Sequence, residues 1–405
     1  MPNLTHLVSL AQAAGVEAHF TEFVERARVA RPEWSQSWLA PTRALHPFFA
    51  DRLRATLARV VYAKYRWGVK LPSWPEAIRA WHCRRELEAA GTEVLMIWNR
   101  SAKIGFVLDA LGADRCIHWE HGAAWDSGHE ADRRRYFRRI TLAIANSTAS
   151  ARVLQLLWGY SGTMRVCRNA LRPSLLPGAR VAKAYPAGAV TLGVAARLFP
   201  VKGVALTLQA LPLIVARGLD ARLEIAGEGP ERGRLESLAR RLGVADRVRF
   251  RGAVRDMREF YTRVDCLVHP PLTEAFGLVA LEAAAHGCPV IAAAIDGLPE
   301  AVADGVSGRC VVPTLPLADY PGLGGSLDGV PQLVYEPRRD ALVEPPLVDP
   351  QALAAAVAEL FADARSYETL SAAASAHVLA SPTFAQHVDA VLAVVDEFRA
   401  RHAGA

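Results

Sequence analysis

The stretch Val190-Thr-Leu-Gly-Val-Ala195, continued by Ala196-Arg-Leu-Phe-Pro-Val-Lys-Gly203 and then by the apolar run Val204–Ala216, decides how this chain folds. A short apolar run, a loop punctuated by Pro and Gly, and a longer apolar stretch read as strand, loop and helix. The unit recurs. Strands are expected at Ala221–Ala226, Val248–Arg251, Cys266–His269, Pro289–Ala293 and Gly308–Val312, with helices between them. The first half repeats the pattern at Leu4–Leu10, Val94–Trp98, Arg115–Trp119, Leu142–Ala145 and Met164–Cys167. A helix should follow Gly15, where Val16, Phe20, Phe23 and Val24 recur at helical spacing. Short apolar runs alternating with longer amphipathic stretches are the signature of βαβ units, so the expected class is α/β with parallel sheets.

Composition fits more than one globular domain. Of 405 residues, 51% are hydrophobic and 22% charged, which excludes disordered, collagen-like and disulfide-scaffold proteins. Leu175–Gly188 has the Pro, Gly and Ala content of a linker. We therefore expect one domain over residues 1–184, a second over 185–382, and a closing helix within 383–405 that packs back on the first. Thr314–Asp349, rich in Pro and Gly, reads as an insertion that is either functional or disordered. Trp34–Arg85, rich in Arg, Trp and Pro, is expected to be helical and exposed, with an amphipathic stretch at Phe48–Tyr65.

The net charge of +6 hides an asymmetry: up to Lys183 there are 27 Lys and Arg against 15 Asp and Glu, and beyond it 20 against 26. A basic half beside an acidic one fits an anionic substrate, an anionic membrane surface or nucleic acid, and equally a set of charged surface helices. The longest apolar stretch, Gly203–Ala216, is too short to span a membrane. The opening MPNLTHLVSL lacks the basic start and cleavage site of a signal peptide, so a cytoplasmic protein is expected. The six cysteines are scattered without metal-ligand spacing and read as reduced core residues.

Several residues are placed to carry chemistry. Arg197 and Lys202 stand at the mouth of a strand–loop–helix turn and suit a diphosphate, because Arg forks across phosphate oxygens and Lys adds a point charge. The plainer reading is two exposed loop cations. In Thr273-Glu-Ala-Phe-Gly-Leu-Val-Ala-Leu-Glu282 a helix should begin near Phe276, and the unpaired amides of Phe276, Gly277 and Leu278 would form an anion site. Glu274 and Glu282 suit sugar hydroxyls, which donate hydrogen bonds. Otherwise Glu274 is a charge favoured by the helix dipole and Glu282 a satisfied buried carboxylate. Glu228, Gly252 and Ala253 are candidates for the base side of a nucleotide, or belong to plain turns.

The segments ARLFPVKG, LEIAGEGPE, RVRFRGAV, TEAFGLVALEAAAHGCPVIA and GLPEAVADGVSG follow one another over about Val190–Val312. In that order and spacing they resemble the donor-binding domain of the retaining glycosyltransferases of family four, the group 1 glycosyltransferases. The resemblance implies the GT-B fold, two Rossmann-like domains facing across a cleft. It also implies that Arg197 and Lys202 hold the donor diphosphate and assist catalysis, that Glu282 binds the ribose, and that Glu274 contacts the donor sugar. HLVSLAQAAGVEAHFTEFV resembles the family's first strand, glycine turn and helix, which puts Gly15 on the acceptor side. Cys116-Ile-His-Trp-Glu-His-Gly122 resembles the strand end where the family places a histidine facing the transferred sugar; His121 is favoured, with His118 and Glu120 as acceptor-side rivals. Two departures stand out. Ala14-Gly15 replaces paired glycines, and Asp296 replaces one glycine of the GGxPE-type turn.

The implied reaction moves a hexose-like sugar from a nucleoside diphosphate sugar to a hydroxyl with retention, and neither a metal nor a cofactor is expected. The basic half, with Arg133–Arg135, Arg138, Arg139 and the Trp34–Arg85 segment, suits a phosphate-bearing or lipid-linked glycan acceptor at the inner face of the cytoplasmic membrane, as in lipopolysaccharide assembly. One alternative is a soluble transferase making a small glycoside or storage glucan. The other is a non-enzymatic nucleic-acid-binding protein, against which the acidic, motif-bearing half speaks.

Overall fold

The apolar runs pair as parallel strands in two separate sheets of a computed structural model, which describes residues 2–11 and 15–402. The first sheet has seven strands in the order Arg59–Tyr62, Ser35–Ala40, Asn3–Leu7, Thr92–Trp98, Cys116–Glu120, Leu142–Ala145, Thr163–Val166. The second has six, in the order Val248–Gly252, Ala221–Ala226, Val190–Ala195, Cys266–His269, Val290–Ala293, Gly308–Val311. Helices connect the strands, giving two α/β units of Rossmann-like strand order. In each sheet the order reverses beside the first strand: between Asn3–Leu7 and Thr92–Trp98 in one, and between Val190–Ala195 and Cys266–His269 in the other. Ligands of open α/β sheets bind beyond the carboxyl ends of the strands at such a switch point.

The chain divides after Asn169: residues up to that point form one unit with those from Phe384 onward, and Ala170–Thr383 form the second. The closing helix Phe384–His402 thus belongs to the first unit, where Phe384, Val388, Val391, Val395 and Phe398 join Phe20, Phe23, Trp98 and Trp119 in one core. The stretch Ala364–Arg401 is long and apolar enough to cross a membrane by length and composition. It is nevertheless two helices, Ala364–Ala380 and Phe384–His402. The first buries Tyr367, Ala374 and Val378, and the second completes the core just described.

The expectation of an exposed helical segment at Trp34–Arg85 is corrected. It supplies two strands of the first sheet, Ser35–Ala40 and Arg59–Tyr62, besides the helices Pro47–Thr56 and Glu76–Ala89. Ser35–Ala40 looks too polar for an inner strand, yet its buried polar groups are satisfied by the neighbouring strand Asn3–Leu7. Asn3 Nδ2 donates to Ser37 Oγ at 2.9 Å, and His6 Nε2 meets Gln36 Oε1 at 3.1 Å. The amphipathic run at Phe48–Tyr65 is helical only to Thr56; Leu57 is extended and the chain turns into the edge strand Arg59–Tyr62.

Thr314–Asp349 is ordered and docked on the second unit. The pair Val334–Glu336 and Ala341–Val343 is antiparallel, and Leu315 bridges to Leu347. Tyr320, fully buried, donates from its hydroxyl to the Pro200 carbonyl at 2.7 Å. Tyr335 N donates to Asp296 Oδ1 at 2.7 Å. Asp296 itself occupies the left-handed region at φ 48, where the resemblance leads one to expect glycine. Its other carboxylate oxygen accepts from Thr273 Oγ1 at 2.7 Å and from Glu274 N at 3.0 Å. Asp tolerates this backbone conformation better than most residues, and here its side chain ties three segments together.

His6 is buried with Nε2 toward Gln36 Oε1 and Nδ1 accepting from Trp98 Nε1 at 3.3 Å, an arrangement that needs the neutral ring. Burial holds His6 down at about 4 against the pull of Gln36, and burial likewise holds His387 at about 4. The unfolded chain binds a proton at each below its usual 6.5, so this stability is complete above pH 6.5 and is lost as pH falls toward 4, by up to about 3 kcal/mol per ring. Thermal melts should record a falling melting temperature through that window, and a flat profile would contradict it. Replacing Asp296 by glycine keeps the backbone conformation but leaves buried donors without their acceptor. It should cost about 3 kcal/mol in denaturant unfolding, whereas a change below about 0.5 kcal/mol, the size of an ordinary surface substitution, would show that the carboxylate holds nothing.

Candidate functional site

In the second unit, the loops leaving Val190–Ala195 and Cys266–His269 meet at the switch point. Leu272 N donates to Val201 O at 2.8 Å. Gly203, at φ +65, lies so near the second loop that a Cβ there would stand 1.9 Å from the Pro270 carbonyl oxygen, so only glycine fits. This contact brings Lys202 Nζ to 2.7 Å from Glu274 Oε2, with both side chains 19% exposed. His269 Nε2 lies 3.4 Å from the same oxygen. Burial on its own would raise the Glu274 carboxyl, but the Lys202 charge and His269 outweigh it and hold the group well below the usual carboxylate range. Glu274 is therefore a permanent hydrogen-bond acceptor around neutral pH.

Arg197 lies in the same loop, exposed, with its guanidinium 5.2 Å over the Phe199 ring. Among the described residues no carboxylate pairs with it. The helix Leu278–Ala285 begins at Gly277, whose φ of +99 is open to glycine, and no side chain caps it. Its first amides are therefore available to an anion. Phe276 is buried and Leu278 half-buried. Cations and free amides at adjoining strand ends form a site chemically suited to a diphosphate.

Glu282 lies one turn into that helix and is only 5% exposed. It already has protein partners: Tyr261 donates from its hydroxyl to Oε2 at 2.9 Å, and Arg172 Nη2 lies 3.3 Å from Oε1. Burial raises its carboxyl above the ordinary value, against the opposing pull of Arg172 and Tyr261. The sequence does not reveal these partners, nor His269. On the far side of the first strand, Glu228 is exposed and accepts from Ala253 N at 3.3 Å, while Gly227 N donates to Gly252 O at 2.8 Å. The structure thus brings Glu228 together with Gly252 and Ala253 at the ends of two neighbouring strands.

His121 follows the strand Cys116–Glu120; its ring stacks on Trp98 at 5.1 Å and 2°, and its Nε2 is buried without a hydrogen-bond partner. Burial, then the neighbouring His387 and His118, push its pKa far down, so the ring is neutral. His118 and Glu120, the acceptor-side rivals, both have side chains enclosed in the core. His118 Nε2 meets Glu120 Oε2 at 3.1 Å and its Nδ1 meets the Tyr136 hydroxyl at 3.2 Å. Glu120 Oε1 accepts from Gly122 N and Ala124 N, so it shapes the turn that carries His121. Gly15 opens the helix Gly15–Ala30 with open space where a Cβ would stand; Ala14 lies outside the described residues.

The arginine run expected to present charge is also corrected. Arg133 pairs with Asp126, Arg134 with Glu130, Arg135 with Asp132 and Arg139 with Asp109, so most of its charge is neutralised locally. Among the described residues, no group of three His, Cys, Asp or Glu side chains is arranged to hold a metal ion.

Residues 180–318 match the family model described as Glycosyl transferases group 1. The D-inositol 3-phosphate glycosyltransferase 2 of Catenulispora acidiphila is 35% identical over 246 residues, 56% of this chain and 57% of that one. The chain therefore spans less than two thirds of the length of this curated relative. Among solved structures, a glycosyltransferase from Rickettsia africae ESF-5 matches with a TM-score of 0.73 at 14% identity, over 98% of both chains. Anabaena HepE in complex with UDP and glucose matches with a TM-score of 0.71 at 18% identity, over 97% of this chain and 99% of that one. At these identities the structural likeness establishes the fold alone. Residues 180–318 are thus similar to the group 1 glycosyltransferases, and the chain around them has the fold of the GT-B glycosyltransferases.

Proposed function

We propose that this chain is a retaining glycosyltransferase that moves a hexose-like sugar from a nucleoside diphosphate sugar to a hydroxyl of an anionic or lipid-linked glycan acceptor, in cell-envelope polysaccharide assembly such as that of lipopolysaccharide. The observation that carries the donor half is the meeting of Arg197, Lys202 and the uncapped helix Leu278–Ala285 at one switch point. Bond cleavage leaves charge on the diphosphate, and cations held beside free amides stabilise that charge as it develops. Glu274, an obligate acceptor, takes the sugar hydroxyls, and Glu282 the ribose. Glu228, Gly252 and Ala253 take the base side. His121 is the proposed histidine contact to the sugar.

The relatives support this reading by what they are called: D-inositol 3-phosphate glycosyltransferases and a glycosyltransferase of lipopolysaccharide biosynthesis are among the proteins this chain is similar to. Location at the inner face of the cytoplasmic membrane is part of the same proposal.

Sugar release from UDP-, GDP- and ADP-sugars, with soluble and lipid-linked acceptors, tests it. Lys202→Ala should cut turnover about 100-fold, the usual scale for one group stabilising developing charge, and Glu282→Ala should weaken donor binding. Near-normal activity in both variants would overturn the site assignment.

A further inference from the structure

The first unit concentrates positive charge at the carboxyl end of its sheet that the donor chemistry leaves unused. Lys64 follows the strand Arg59–Tyr62, Arg100 and Lys103 follow Thr92–Trp98, and Arg79 comes from the helix Glu76–Ala89. The Lys64 ammonium and Arg79 guanidinium both stand over the Phe106 ring, 5.9 and 6.0 Å from its centre. Among the described residues none of these four side chains forms an ion pair. Arg79 gives Nη2 to the Leu71 carbonyl at 2.8 Å, but its Nε, like Nε of Arg100, is buried without an acceptor. Asp132 takes the Lys103 backbone amide at 3.2 Å and is itself paired with Arg135.

Crowding cations without counter-charges is costly in two ways, and both act here. Burial pushes the Lys64 ammonium down from its usual value, and Arg100, Arg79, Lys70 and Lys103 push it further; burial lowers Arg100 as well. Dehydrated like charges carry an unfavourable free energy that a bound anion relieves. Two guanidinium groups, each with an Nε that lacks an acceptor, and two ammonium groups match the several oxygens of one phosphate.

We propose that Lys64, Arg79, Arg100 and Lys103 form a phosphate-binding site of the first unit, which holds the phosphate carried by the acceptor. Only the word acceptor rests on the glycosyltransferase reading; the binding of phosphate does not. The phosphate can arrive on a small soluble molecule or on a lipid. Nearby on the chain, Trp67 and Trp74 are 88% and 83% exposed, and Arg66 packs over Trp67 at 4.1 Å. Exposed aromatic and basic residues of this kind suit a membrane interface.

The test uses the full chain at low salt, with glycerol 3-phosphate in calorimetry and phosphatidylcholine vesicles with and without phosphatidylglycerol in co-sedimentation. The Lys64→Gln/Arg100→Gln double variant should lose at least tenfold in affinity, the consequence of removing charge-assisted hydrogen bonds. Lys103→Glu, at an exposed position that does not endanger folding, should lose a similar amount. Binding of glycerol 3-phosphate supports the site and a soluble acceptor; binding of only phosphatidylglycerol vesicles supports the site and a lipid-borne one. Binding of neither probe, or equal binding by wild type and variants, overturns it. Nucleoside diphosphate binding, measured alongside, should be unchanged in the variants. Its absence from the wild type would sink the donor reading and leave the phosphate site standing.

Discussion

The second unit's chemistry depends on a lock between two loops. Strand order places the ends of Val190–Ala195 and Cys266–His269 side by side, and the missing side chain of Gly203 lets the loops touch. The Lys202–Glu274 pair is largely buried, so its attraction is offset by the cost of removing both charges from water. Steric fit and the Leu272–Val201 hydrogen bond hold the loops together, and the charges benefit. A cation from one loop and a carboxylate from the other are fixed 2.7 Å apart before any ligand arrives, which removes part of the ordering cost of binding. Because Lys202 and His269 keep Glu274 ionised, that group accepts hydrogen bonds and does not act as an acid. Arg197, without a carboxylate partner among the described residues, presents its charge outward.

The same lock is braced from behind. Tyr320 and Tyr335 belong to the stretch that breaks the regular βαβ pattern, yet one grips the Pro200 carbonyl in the Lys202 loop and the other grips Asp296. Through its second oxygen Asp296 holds Thr273 and Glu274. A departure from the glycine pattern thus becomes a junction between the insertion and the loop that positions Glu274.

Most of the second unit was legible because buried parallel strands are continuous apolar runs; Val190–Ala195, Ala221–Ala226 and Cys266–His269 fall where they were expected. Ser35–Ala40 was not, since its Gln36 and Ser37 are paid for by partners on other strands that no local pattern reveals. Arg197 and Lys202 in one strand–loop–helix unit, and Glu274 with a helix start near Phe276 in another, could be singled out because each group lies within a single local segment. The partners of Glu282 could not: Arg172 is 110 residues away and Tyr261 is 21. Charge counting along the chain does not show which cations are paired. Arg133, Arg134, Arg135 and Arg139 are matched by nearby carboxylates, and the unmatched cations come from three separate segments.

On the proposed function, the two-loop lock recognises a diphosphate. Calorimetric titration of a nucleoside diphosphate and the monophosphate of the same base, into wild type and an Arg197→Ala/Lys202→Ala variant, tests it most directly. Wild type should prefer the diphosphate at least tenfold, and the variant should lose the preference while still binding the monophosphate. Equal affinities in wild type, or an undiminished preference in the variant, would contradict it.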